Sequence, residues 1–334
     1  MKKQTSNALL MIEPVAFGFN LQTAENNYFQ QAGNQPASVI QEEALNEFKR
    51  MTDTLKAKGV DVILVKDTPE PHTPDSIFPN NWISFHCDGS IALYPMFAEN
   101  RRLERRMAVL ESIEKEGFSI HNTFDYSPSE KKGIFLEGTG SMVLDRVNQK
   151  AYAALSERTN RDLFMKFCQD FRYTPFCFSA YQTVGTQRLP IYHTNVMMCI
   201  SDSYAVVCTD SIDDPTERQS LVRSLKENRK EIIIISEEQM HQFAGNMLPI
   251  ENKERKKFLV MSESAYQALN EPQINRLSAY NEIIRIAIPT IEKQGGGSVR
   301  CMMAEIFLPK INSNEHNTIA CAGTDGVGRS IRCT

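Results

Sequence analysis

Five polar residues able to do chemistry recur through this chain at nearly equal intervals. Asn81, Glu137, His193, Asn246 and Cys301 lie 56, 56, 53 and 55 positions apart. Each stands just ahead of an apolar stretch that reads as a β-strand. Cysteine, histidine and glutamate together suit nucleophilic attack on a planar carbon bearing nitrogens. The thiolate is the nucleophile, and it needs a nearby base or a lowered pKa. Imidazole can protonate a leaving amine and then deprotonate water. A carboxylate can accept hydrogen bonds from the N–H groups of a guanidine or urea. Taken singly, each has an ordinary structural explanation: a semi-buried His beside Tyr192, a turn Glu before Gly138-Thr139-Gly140, a core Cys before Met302-Met303. Their joint placement singles them out. Cys301 also follows Gly295-Gly296-Gly297. Glycine allows close backbone approach and positive φ, so a partly exposed, activatable thiol is expected there.

Elements of one order must position these residues: hairpin, helix, strand. Asp88-Gly89 between apolar stretches 83–86 and 91–94 is a hairpin signal. A helix near 100–115 and a short strand around 118–120 complete that unit. Comparable units start at 135, 192 and 245, and a fifth apolar run covers 302–308. Its missing partner is the first strand, 9–18, which closes the set into a ring. A period of about 55 residues marks a repeat architecture. The ring brings the five spaced residues to one axis. Residues 37–58 carry helical spacing of apolar side chains and end at Gly59. The polar and aromatic stretch 23–36 reads as a loop that covers something. Residues 1–310 are expected to form a single catalytic domain and 311–334, rich in Asn, Gly, Ser and Thr, a tail.

Composition narrows the class. The chain has 334 residues, 41% hydrophobic, 23% charged, with net charge −4, an ordinary globular balance. No basic block points to nucleic acid or an anionic membrane. No apolar run approaches a membrane span, and the run after Asn7 is broken by Glu13 and Pro14, unlike a signal peptide. The eight cysteines are scattered without a C-x-x-C pair, which fits free thiols in a reducing cytoplasm and argues against a thiol–disulfide redox protein, a disulfide framework or a structural zinc site.

The motifs Pro74-Asp75-Ser76-Ile77-Phe78-Pro79-Asn80-Asn81, Leu136-Glu137-Gly138, Ser156-Glu157-Arg158-Thr159-Asn160, His193-Thr194-Asn195 and the glycine run into Cys301 together resemble the pentein, or guanidino-group-modifying, superfamily. The chain is most similar to its amidinotransferase-like, citrulline-utilisation hydrolase branch. The resemblance implies an α/β fold of five pseudo-symmetric blades, the pentein propeller. It implies Cys301 as nucleophile, His193 as general acid and base, and Glu137 as the carboxylate beside them. Asp75 would hold the reacting nitrogens, and Arg158 the substrate carboxylate in a bidentate pair. Asn81, Asn195 and Asn246 complete the expected substrate-binding set. Arg101 and Arg102 are further candidate partners for that carboxylate, with a solvated helix face the simpler account. The resemblance implies no metal and no organic cofactor, a small amino-acid substrate, and a homodimer in many relatives.

Two positions depart from the pattern of guanidine-processing relatives, which commonly carry carboxylates where Asn81 and Asn195 stand. Guanidinium is a cation and suits buried carboxylates. A ureido group is neutral, and asparagine can donate to its oxygen and accept from its N–H, whereas carboxylates beside it would strand buried charge. The expected reaction is therefore hydrolysis of citrulline to ornithine, ammonia and carbon dioxide through a thioester-type intermediate on Cys301. Arginine deiminase, dimethylarginine dimethylaminohydrolase, amidinotransferase and a non-catalytic binding protein are the alternatives.

Overall fold

The computed structural model describes residues 3–310; the expected tail, 311–334, lies outside the described residues. In chain order the strands are β1 (Ala8–Glu13), β2 (Asp61–Lys66), β3 (Ile83–Phe85), β4 (Ser90–Leu93), β5 (Asn122–Asp125), β6 (Val143–Asp145), β7 (Lys150–Leu155), β8 (Thr174–Ser179), β9 (Tyr181–Val184), β10 (Gln187–Pro190), β11 (Met198–Ile200), β12 (Tyr204–Val207), β13 (Glu231–Ile234), β14 (Leu248–Glu251), β15 (Lys257–Ser262), β16 (Glu282–Ile286) and β17 (Ala304–Glu305). They form five three-stranded sheets of one plan: β3-β4-β5, β6-β7-β8, β11-β12-β13, β14-β15-β16 and β17-β1-β2. In each of these five the central strand pairs antiparallel on one side and parallel on the other, while β9 and β10 form a separate two-stranded sheet. The sheet β17-β1-β2 joins the two ends of the described chain, with Leu9 opposite Glu305 and Leu10 opposite Ala304.

The sequence explains the plan. An antiparallel pair closes with a tight turn, whereas a parallel pair needs a crossover, here helical. Asp88-Gly89 makes the first such turn, with Gly89 at φ +83°. Helices Ala37–Ala57, Met107–Lys115, Arg161–Phe171 and Pro215–Glu227 make four of the crossovers. Ile40, Ala44, Phe48, Met51 and Leu55 form the buried stripe of the first. Asn160 and Asp214 cap the last two, their side chains accepting from the N–H groups of the first turn. Central strands covered on both faces are apolar throughout, as in Ala8-Leu9-Leu10-Met11-Ile12 and Tyr204-Ala205-Val206-Val207.

Several expectations shift. The strand sought around 118–120 lies at β5, because Phe118 packs inward and makes only an isolated bridge to Lys310. The helix near 100–115 is broken into Glu99–Arg102 and Met107–Lys115. The run 302–308 contributes only the two residues of β17. The hairpin β9-β10 was not anticipated. No helix among the described residues is long and apolar enough to cross a membrane.

Candidate active site

The five spaced residues occupy equivalent places. Asn81 ends the turn Pro79–Asn81 before β3, Glu137 leads the turn Gly138–Ser141 before β6, and His193 leads Thr194–Val196 before β11. Asn246 and Cys301 precede β14 and β17. All five are buried, none more than 3% exposed. Asn81, His193 and Cys301 line one cavity with Asp75, Arg101 and Arg158.

The segment carrying Cys301 is held from beneath. Helix Pro289–Gly295 leads into it, and the buried Glu47 carboxylate accepts from the N–H groups of Thr290 and Ile291, each at 3.0 Å. Glu292 accepts from the Ser298 hydroxyl at 2.6 Å. The Tyr192 hydroxyl donates to the Gly296 carbonyl at 2.7 Å. Gly296 takes φ +61°, and a Cβ there would fall 2.6 Å from Asn27 and Gln30, so glycine lets the covering loop settle on this turn. The partly exposed thiol expected from the triple glycine is corrected: Cys301 is only 3% exposed, and the glycines are packed, Gly295 and Gly297 against Phe78. Two amides point at the sulfur. Asn246 Nδ2 lies 3.3 Å and Asn195 Nδ2 3.5 Å from Cys301 Sγ. Asn246 cannot be turned round, since its Oδ1 accepts from the Arg300 N–H at 3.1 Å.

His193 Nε2 meets Glu137 Oε2 at 2.7 Å. Glu137 Oε1 accepts from the Phe97 N–H at 2.8 Å, and Arg158 Nη1 lies 3.5 Å from Oε2. Burial acts to raise the Glu137 carboxyl, but Arg158 and the His193 hydrogen bond outweigh it and hold it at about 2. Burial lowers His193 to about 4 against the opposing pull of Glu137. At neutral pH the pair is therefore carboxylate and neutral imidazole. The ionised carboxylate can only accept, so Nε2 carries the proton and Nδ1 is the basic atom. Gly140 brings that atom close to Asn81: a Cβ there would fall 2.8 Å from His193 Nδ1 and 2.3 Å from Asn81 Nδ2.

Arg101 is the residue that the sequence hid. It is 2% exposed rather than on a solvated face, paired to buried Glu104 through Nε at 2.9 Å and Nη2 at 3.0 Å. Its Nη1 donates to Asn81 Oδ1 at 2.8 Å. A guanidinium only donates, so Asn81 must turn its oxygen to Arg101 and its NH2 away. That NH2 has no partner among the described residues, and neither do Asp75 Oδ1 and Asn195 Oδ1. Unsatisfied buried polar atoms are costly and call for an explanation. One donor and two acceptors on residues that line or adjoin the cavity are therefore free to meet a ligand. Burial raises the Asp75 carboxyl, opposed by Arg101.

Residues 20–31 close the cavity. Asn20 Nδ2 and Thr23 Oγ1 donate to Asp75 Oδ2 at 2.8 and 3.0 Å. Arg158 Nε and Nη2 donate to Asn26 Oδ1, at 2.7 and 2.5 Å, and Nη2 also to the Thr23 carbonyl at 2.7 Å. Asn27 and Gln30 bond the carbonyls of Gly295 and Gln294. The space left to a water-sized body among these residues is only about 10 Å³. The expected cover over the site is thus present, starting a few residues earlier than the loop read from sequence. Its Asn-rich composition was the available signal for Asn20, Asn26 and Asn27. Arg158 is at the site, with its fork occupied by the cover and Glu137.

The fold and this cavity define a class before any single protein. A family profile described as eukaryotic N,N dimethylarginine dimethylhydrolase matches residues 13–308. The chain belongs to that family, and with it to the pentein, guanidino-group-modifying superfamily. Among solved structures it is similar to the substrate-bound N-terminal domain of ArgZ, an arginine dihydrolase from the ornithine–ammonia cycle in cyanobacteria. That match has TM-score 0.67 and 17% identity, covering 90% of this chain and 99% of that one. It also matches full-length apo ArgZ at TM-score 0.69 and 16% identity, covering 91% of this chain but 41% of ArgZ, so it spans less than half of that protein. A dimethylarginine dimethylaminohydrolase variant, an adduct with S-methyl-L-thiocitrulline, matches at TM-score 0.58 and 14% identity over 92% and 100% of the two chains. No curated protein matches by sequence.

Proposed function

We propose that this chain is a cysteine-dependent hydrolase acting on the ureido group of a free amino acid, with citrulline as substrate and ornithine, ammonia and carbon dioxide as products. One observation carries the choice of a ureido group: Asn81, locked by Arg101, has an unpartnered NH2 on the cavity it lines with His193 and Cys301. A ureido oxygen would take that hydrogen bond, and a guanidinium, which has no acceptor, would not. Asp75 Oδ1 and Asn195 Oδ1 would receive the ureido N–H groups.

His193 Nδ1 takes the Cys301 proton, and Glu137 stabilises the imidazolium that forms. The thiolate, with the Asn195 and Asn246 amides at its sulfur, adds to the ureido carbon. The imidazolium returns its proton to the departing amine, releasing ornithine and leaving a carbamoyl thioester. Neutral His193 then takes a proton from water, whose oxygen attacks the thioester carbon, and the thiol is restored. The carbamate released breaks down to ammonia and carbon dioxide. Arg158 receives the substrate carboxylate in exchange for Asn26 and Thr23, which requires residues 20–31 to lift. Five sheets of one plan, with the chain ends joined in one of them, support a closed five-bladed propeller around this site. Scattered free cysteines support a reducing, cytoplasmic setting.

Arginine is the second reading, because the unpartnered Asp75 Oδ1 would suit a guanidinium and ArgZ is an arginine dihydrolase. Parallel incubation with citrulline, arginine and dimethylarginine, assayed for ornithine, ammonia and alkylamine, separates them. Ornithine from citrulline at a kcat/KM well above that for arginine is expected; equal or better turnover of arginine removes the citrulline assignment.

A further inference from the structure

A second cavity opens at the other end of the sheets. The candidate catalytic residues precede the strands β3, β6 and β17, whereas His86, Arg146 and Phe307 follow those same strands and line this groove. At about 3.3 Å per strand residue the two sites are roughly 15 Å apart. The groove holds about 1390 Å³.

Its unusual member is Arg146. The side chain is only 7% exposed, yet its guanidinium has no carboxylate within ion-pair distance among the described residues. Its carbon sits 4.0 Å from the centre of the Phe307 ring. Buried arginines elsewhere in the molecule are paired: Arg101 with Glu104, Arg158 with Glu137, Arg300 with Glu305. The acidic residues of the groove are committed to others. Glu251 pairs with Lys3 at 3.2 Å and Asp61 with Lys310 at 3.0 Å. Asp170 binds Lys166 and the Tyr126 hydroxyl, and Asp88 caps the turn at Ser90. A buried charge without a counterion is expensive.

The walls beside Arg146 are aromatic. Phe118, Phe124, Phe171 and Tyr173 line the groove with Phe307. His86 forms part of the floor, stacked on Phe171 at 3.9 Å, with Nε2 engaged by the Ser84 hydroxyl at 2.9 Å. Among the described residues Arg146, in contact with Tyr173 and in no ion pair, thus gives the groove a buried planar fork suited to a carboxylate, with the exposed Arg172 at its edge, set among rings suited to an apolar body.

We infer that this groove is a second, non-catalytic binding site for a small carboxylate with an aromatic or apolar body, its carboxylate on Arg146 and its body against Phe307 and Phe171. Occupation supplies the missing counterion and covers apolar wall in one step.

Benzoate is the probe, titrated by calorimetry and ligand-observed NMR into the full chain, into Cys301→Ala, and into Arg146→Met and Arg146→Lys. Saturable binding is expected in the parent and equally in Cys301→Ala. Arg146→Met should weaken it at least about tenfold, the loss of a charged hydrogen-bonded pair, while Arg146→Lys, which keeps the charge and guards against a folding artefact, retains part of it. Absence of saturable binding in the parent at tens of millimolar would overturn the assignment. So would binding that survives Arg146→Met unchanged, or binding abolished by Cys301→Ala, which would place benzoate in the catalytic cavity.

Discussion

Replacing Glu137 by Gln changes one atom at the centre of the proposed machinery. The Phe97 N–H at 2.8 Å keeps the remaining oxygen as its acceptor, so the new NH2 must face His193 Nε2 and Arg158 Nη1. Two consequences follow. His193 can meet an NH2 only by accepting at Nε2, which moves its proton to Nδ1 and removes the basic nitrogen from the site. Loss of a positioned general base is worth about 10²–10⁴-fold in rate. Arg158, 1% exposed, loses its only carboxylate among the described residues, a cost of about 3 kcal/mol for a broken buried pair. For a chain of this size that lowers Tm by roughly 4 °C. The assay is steady-state release of ornithine from citrulline across pH, with thermal unfolding in parallel. A kcat within about tenfold of the parent and an unmoved pH profile would refute the assignment of Glu137 as the group that fixes the imidazole. A lower Tm with normal kcat would leave Glu137 a purely structural partner of Arg158.

Asn81→Asp keeps the acceptor for Arg101 and turns the free donor into an oxygen. Citrulline kcat/KM should fall about 10- to 100-fold while the ratio of arginine to citrulline turnover rises; an unchanged ratio would remove Asn81 from substrate choice. Acid stability offers a test independent of substrate. The folded pKa of His193, about 4, is depressed below the ordinary 6.5, so its stabilisation is present above pH 6.5 and lost as pH falls towards 4. Measured by urea unfolding, the parent should lose about 3 kcal/mol relative to His193→Gln between pH 7 and 4. A constant difference would mean that the imidazole is not buried as a neutral base. The comparison with a variant cancels the carboxyls that burial shifts upward, Asp75, Glu47, Glu104 and Glu292.

Much of the framework was legible because strand pairing writes a period into sequence. Asn81, Glu137, His193, Asn246 and Cys301 are recognisable by spacing since each precedes the first strand of a three-stranded unit. Arg101 was not, because an arginine beside Arg102, Arg105 and Arg106 has the local pattern of a solvated helix face. Its burial is decided by Glu104 and by the turn at Asn81, which tertiary packing brings together. The burial of Cys301 was misjudged for a related reason. Glycines signal freedom of backbone, but here they supply close contact with Phe78 and with the cover, a distinction made by residues more than 200 positions away. The interruption of the helix at 103–106 is hidden in the sequence because periodicity on either side of it is helical.

Attack of the Cys301 sulfur on a ureido carbon is the step on which the proposed reaction depends, and trapping that bond tests it most directly. The protein mixed with citrulline, quenched in acid within one turnover and digested, should carry a carbamoyl-sized mass increase on the peptide containing Cys301, absent from Cys301→Ala. Ornithine formed by the parent with no adduct on Cys301, or an adduct on Cys199 or Cys208 instead, would contradict it.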